Sequence, residues 1–159
     1  MSMRTSMVYG YGFETHKITD EDFLVFLYNH KDAFCESDEE KLLFDNLTNL
    51  DKYYDDLDDN ITDDYFESYC CDSSGQQGRG AVISNIIYRE TGIRVEYQMG
   101  DYDCYSYPSV LFPECMPWHL NEKEKNLTMN SLKEILLPYV TELGLNKENI
   151  TSLQIEYFG

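Results

Sequence analysis

The sequence predicts a single α+β domain, with an antiparallel sheet of about four strands packed with three to five helices. Period-two alternation near both ends and in the middle of the chain marks the strands, and apolar spacing of three to four residues between them marks the helices. Capping residues stand ahead of several of those helical runs. At 159 residues the chain is long enough to bury a real core. Its 42% hydrophobic and 14% aromatic content is too rich for a solvating disordered tail.

In residues 6–13, Met7, Tyr9, Tyr11 and Phe13 alternate with Val8, Gly10 and Gly12, which predicts a strand whose glycines weaken it or mark a close backbone approach. Thr19 reads as an N-cap, with Asp20, Glu21 and Asp22 in the first turn and Phe23, Leu24, Leu27 and Tyr28 as the apolar face. Ser37 and Glu40 match a capping box, and Leu42, Leu43, Leu47 and Leu50 line a second helix. A third short helix is expected after Thr62, carrying Tyr65, Phe66 and Tyr69.

Residues 72–80 read as loop. Val82, Ile83, Ile86 and Ile87 then fall at helical spacing, with Gly92 as the C′ residue and a strand as the competing assignment. Residues 93–99 alternate, Gly100-Asp101 offers a turn, and a further strand lies within 104–112. Pro113 and Pro117 make the segment around Trp118 irregular. Thr128 caps a last helix with Leu132, Ile135, Leu136, Tyr139, Val140 and Leu143 as its face. Gly144 ends it, and Pro138 should bend or split it. Leu153, Ile155 and Tyr157 give a closing strand.

The net charge of -18 is extreme for this size and unevenly placed. Residues 20–72 hold 18 of the 30 acidic residues and 3 of the 12 basic ones, a net of -15, which leaves -3 for the rest. The densest part is a segment at about 36–72, expected to be at least partly helical. Such a field repels nucleic acid and anionic membranes and draws in basic protein surfaces or cations. The opening MSMRTSMVYGYGF has no apolar run of signal-peptide length, and no stretch is long enough to span a membrane, so the expected location is the cytoplasm. Five cysteines, odd in number and irregularly spaced, read as reduced thiols there.

No catalytic motif stands out. The glycine-rich residues 75–80 lack the Lys-Ser/Thr of a P-loop and the spacing of a dinucleotide fingerprint, so they read as a connector. From Asp56, the residues Asp56, Asp58, Asn60, Thr62, Asp64 and Glu67 fall in EF-hand register. Ile61 stands where the sharp turn wants glycine, which makes this a weak calcium candidate. Cys115 with His119 and the adjacent Cys70 and Cys71 do not add up to a zinc site. A cysteine meeting His16, His30 or His119 in space would be needed for a thiol nucleophile, and nothing local supports one.

The acidic segment itself carries the functional expectation. Asp55, Asp56, Asp58, Asp59, Asp63 and Asp64 form a near-continuous carboxylate array beside Tyr53, Tyr54 and Tyr65. A solvated face that keeps the protein soluble is the plain reading. The alternative is that the array stands in for phosphates in an Arg/Lys-lined nucleic-acid channel and gains the counterion release that DNA would. The tyrosines would add rigid contact area and stack on arginine.

Three strings, MSMRTSMVYGYGF, GAVISNIIYRETGIRVEYQ and PSVLF…PWHLNEKEKNLT, resemble a family of small uncharacterised acidic proteins from phages and mobile elements of gut Firmicutes. The resemblance covers most of the chain outside the acidic segment and carries no activity, cofactor or catalytic residue. It implies a phage-type genomic setting, where small acidic proteins without enzyme motifs are often anti-CRISPR or anti-restriction inhibitors. The expectation is therefore a non-enzymatic inhibitor without a cofactor. Its partner would be a basic nucleic-acid-binding protein, such as a CRISPR effector nuclease, with neither nucleic acid nor membrane bound directly. The alternatives are an immunity-type protein neutralising a basic toxin, and a calcium-binding protein or metal-dependent enzyme.

Overall fold

The computed structural model describes residues 5–48, 79–99 and 107–158. Its elements run in the order β1 (Thr5–Glu14), α1 (Asp20–Asn29), α2 (Lys31–Phe34), α3 (Asp38–Thr48), α4 (Arg79–Thr91), β2 (Glu96–Gln98), β3 (Ser109–Pro113), α5 (Met129–Glu142) and β4 (Thr151–Phe158). The four strands form one antiparallel sheet in the order β2-β3-β1-β4. The fold is α+β. None of the described helices is long and apolar enough to cross a membrane.

β1 is central because its pattern lets it pair on both sides. Phe13 stands opposite Val110 of β3, and the two are fully buried in the core. Along the same register Gly12 stands opposite Leu111. A Cβ on Gly12 would run into the Val110 carbonyl and lie 2.6 Å from the Leu111 Cα, so this glycine does mark a close backbone approach.

The core face of the sheet is covered by apolar stripes of helices. α1 contributes Phe23, Phe26 and Leu27, α4 contributes Ile83, Ile86 and Ile87, and α5 contributes Leu136 and Val140. Burying a side chain of this size is worth about 1.5–3 kcal/mol, which makes these stripes the main source of stability. Thr19 caps α1 by accepting from the Asp22 N–H at 3.1 Å, as the sequence predicts. Thr128 caps α5 through a reciprocal box with Ser131.

Several expectations need correction in detail. Tyr28 is 69% exposed, and Phe26 takes its place in the core. In α3, Leu42 is 62% exposed and Phe44 is buried, packed near Phe34 with ring centroids 6.2 Å apart. The segment at 79–91 is helical: its apolar residues bury one side, while Gly92 ends it at φ 76°. The helix starts at Arg79, inside the stretch read as loop. The Arg79 guanidinium is buried, donates to the Ile18 carbonyl and lies 5.2 Å from the Phe23 ring, which ties the start of α4 to α1.

The strand expected over 93–99 is confined to Glu96–Gln98, the residues that pair with β3, while Ile93 and Val95 are buried ahead of it. Pro138 does not split α5. It is exposed, so its ring lies off the packed face. The turn at Gly100-Asp101 and the helix after Thr62 lie outside the described residues.

Gly12→Ala should lower stability by about 1–3 kcal/mol, since the added carbon meets main chain that cannot turn aside. A drop in the urea midpoint with an unchanged slope would show it.

Candidate functional site

The described part of the acidic segment is its entry, α3. The reciprocal bonds of Ser37 and Glu40, at 3.2 and 3.1 Å, start the helix where the sequence predicts it. Glu36 and Glu40 then meet Arg89 of α4, at 3.2 and 2.8 Å. The same guanidinium donates to the Ala33 and Phe34 carbonyls at the end of α2. One arginine therefore gathers α2, α3 and α4, and two carboxylates of the segment are used structurally. Lys41 stands 3.9 Å from Asp38, an exposed pair worth little in water. Asp45 is exposed as well.

The residues expected to bind a partner, Tyr53, Tyr54, Asp55, Asp56, Asp58, Asp59, Asp63, Asp64 and Tyr65, lie outside the described residues. So do the calcium candidates Asp56, Asp58, Asn60, Thr62, Asp64 and Glu67, and the cysteines Cys70 and Cys71. Among the described residues, no group of three or more His, Cys, Asp or Glu side chains is placed to hold a metal ion.

Two carboxylate clusters sit in the body of the fold, and sequence reading singled out neither. In the first, Glu124 is 2% exposed. It accepts from the Arg94 guanidinium at 2.9 Å and from the backbone N–H groups of Arg94 and Asn121, at 2.8 and 2.9 Å. Asn121 returns the contact by accepting from the Glu124 N–H at 3.0 Å. Burial by itself raises the Glu124 pKa. The bonds from Arg94 and the two backbone amides outweigh burial and hold the carboxyl below its usual range. An Asn followed three residues later by Glu has capping-box spacing, so Asn121 and Glu124 were findable.

The second cluster joins three helices around His30, the residue between α1 and α2. Its Nδ1 lies 2.8 Å from Glu90 of α4 and its Nε2 lies 2.5 Å from Glu142 of α5. The Tyr139 hydroxyl donates to the other Glu90 oxygen at 2.8 Å. Phe26 and Tyr139 flank the imidazole, with centroids at 4.5 and 5.4 Å. Burial pulls the His30 pKa down, but the hydrogen bonds to Glu90 and Glu142 and their charges prevail, and the pKa is raised. Tyr139 is pushed up, by burial first and by Glu90 next. Glu90 and Glu142 lie 60 and 112 residues from His30, so no local signal announces the group.

The histidines weighed as partners of a thiol are placed as follows. His16 stacks on Tyr107 at 3.9 Å and lies 3.4 Å from Glu14. His30 is held by two carboxylates. His119 shares a cavity of about 230 Å³ with exposed Cys115, Arg94 and Glu96. Cys35 is half-buried, and burial raises its thiol pKa against the pull of Lys31, which opposes thiolate chemistry at neutral pH. A larger groove of about 530 Å³ opens between the sheet and the start of α5, lined by Tyr9, Tyr11, Phe112, Leu127, Met129 and Leu132.

No family model, curated protein or solved structure matches the chain.

The Glu124 carboxyl is held below its ordinary range in the folded state. Its contribution is complete above the ordinary carboxyl value of 4.5 and is lost as pH falls through the lower value of the folded state. Glu124→Gln should therefore cost about 2 kcal/mol at neutral pH, because donors are left without a charged acceptor. Urea unfolding across a pH series should show that gap closing on acidification.

Proposed function

We propose that the protein is a non-enzymatic inhibitor, phage-encoded in type, that binds a basic surface of a nucleic-acid-processing defence enzyme. The observation that carries this reading is the net of -15 in residues 20–72 against -3 elsewhere. The entry helix supports it. α3, the described start of the acidic segment, is seated on the body by Phe44 and by Arg89.

Asp55, Asp56, Asp58, Asp59, Asp63 and Asp64 pair with Arg and Lys of the target, and Tyr53, Tyr54 and Tyr65 supply contact area around them. The carboxylates take the place of phosphates, so the target loses access to its nucleic acid or the freedom to move a domain. An anti-CRISPR or anti-restriction role is the corresponding biological setting.

The test is charge reversal. The double variant Asp58→Lys, Asp59→Lys should weaken binding at least roughly tenfold per reversed carboxylate, because two attractive contacts become repulsive. Expressed in bacteria that carry a CRISPR or restriction system, the parent should raise phage plating and the variant should not. The circular dichroism spectrum and melting temperature of the variant should match the parent. Equal protection by a folded variant would remove the mimicry reading.

A further inference from the structure

We propose that His30 is a proton-operated latch: as imidazolium it ties the α1–α2 junction to α4 and α5, and its deprotonation frees that junction and loosens α3. Carboxylates only accept hydrogen bonds, so a ring that faces Glu90 at 2.8 Å and Glu142 at 2.5 Å satisfies both only when both nitrogens carry protons. Loss of either proton turns a nitrogen lone pair towards a carboxylate oxygen. The cost is then the repulsion of that pair plus two carboxylates with no cation between them.

The surroundings make the cation hard to replace. The His30 side chain is 13% exposed and lies between Phe26 and Tyr139, so the ring itself is shielded while Glu90 and Glu142, at 32% and 34%, stay open to water on their outer side. The groups that face the ring are Glu90 from α4, Glu142 from α5 and, through Glu90, the Tyr139 hydroxyl. Arg89, beside Glu90, is turned to Glu36 and Glu40 and does not substitute for the imidazolium. From the start of α2, Lys31 lies over the Phe44 ring at 5.2 Å.

The route to α3 is short. His30 is at once the C-cap of α1 and the N-cap of α2. The other end of α2 is Phe34, which packs with Phe44 of α3, and Tyr28 near the end of α1 meets Phe44 at 6.4 Å. Arg89 donates to the Ala33 and Phe34 carbonyls and so pins the far end of α2. Release at His30 therefore pivots α2 about that end and shifts Tyr28 and Lys31, which lie against Phe44 on the released side.

In the folded state the carboxylates hold the His30 pKa above the ordinary 6.5. The latch contributes fully below that value and is lost as pH rises through the folded-state value.

Histidine-ring NMR of the full chain measures the titration, and hydrogen-exchange mass spectrometry of peptides over 38–48, corrected for intrinsic rates, measures the release. The latch predicts that His30 titrates above 6.5 and that protection of α3 falls in the same pH range. Glu142→Gln should move both transitions to lower pH together, and Glu90→Gln serves the same purpose if the first variant is unfolded. A His30 that titrates at or below 6.5, or an α3 whose protection shows no step where His30 titrates, would overturn the proposal.

Discussion

Every carboxylate that comes near the body of this protein has to be met by a donor, because an ionised oxygen cannot be left bare in a poorly solvated place. With 30 acidic residues against 12 basic ones, the supply of cations is the tightest constraint on the fold. Among the described residues, three clusters answer it. Arg94 and two backbone amides hold Glu124, His30 holds Glu90 and Glu142, and Arg89 holds Glu36 and Glu40. Each cluster joins segments distant in sequence, so charge neutralisation and tertiary structure are built by the same contacts.

That arrangement bears on the charge left over. Arg94, Arg89 and His30 are committed within the body, and Arg79 is buried at the start of α4. Within residues 36–72 the sequence supplies Lys41 and Lys52 as the only Lys or Arg side chains. Lys41 is exposed and 3.9 Å from Asp38, a pair that water and salt screen strongly. A segment with so few cations of its own gains most from a partner that brings them, and the proposed function rests on that imbalance.

The sheet and the helices were legible because their signals are local. Thr19, Ser37 and Thr128 cap helices where side-chain chemistry requires, and the alternation around Phe13 and Ile155 marks strands that bury those residues. Which side of a helix faces inward was less legible. Phe26 and Phe44 are core while Tyr28 and Leu42 are exposed, since neighbouring apolar residues compete for one stripe and only the packing partner decides. Pro138 shows the reverse case, a local breaker tolerated because its ring lies on the exposed side of α5. The clusters around His30 and Arg89 depend on pairs many residues apart, which no spacing rule reaches, whereas Asn121 and Glu124 had a usable spacing.

The most direct test of the functional claim is capture from the lysate of a bacterial host on the immobilised protein, eluted with a salt gradient in the presence and absence of competing DNA. The account predicts retention of a basic nucleic-acid-processing enzyme that elutes as salt rises and is displaced by DNA. Retention indifferent to both salt and DNA, or a retained set without any basic nucleic-acid-binding protein, would contradict it.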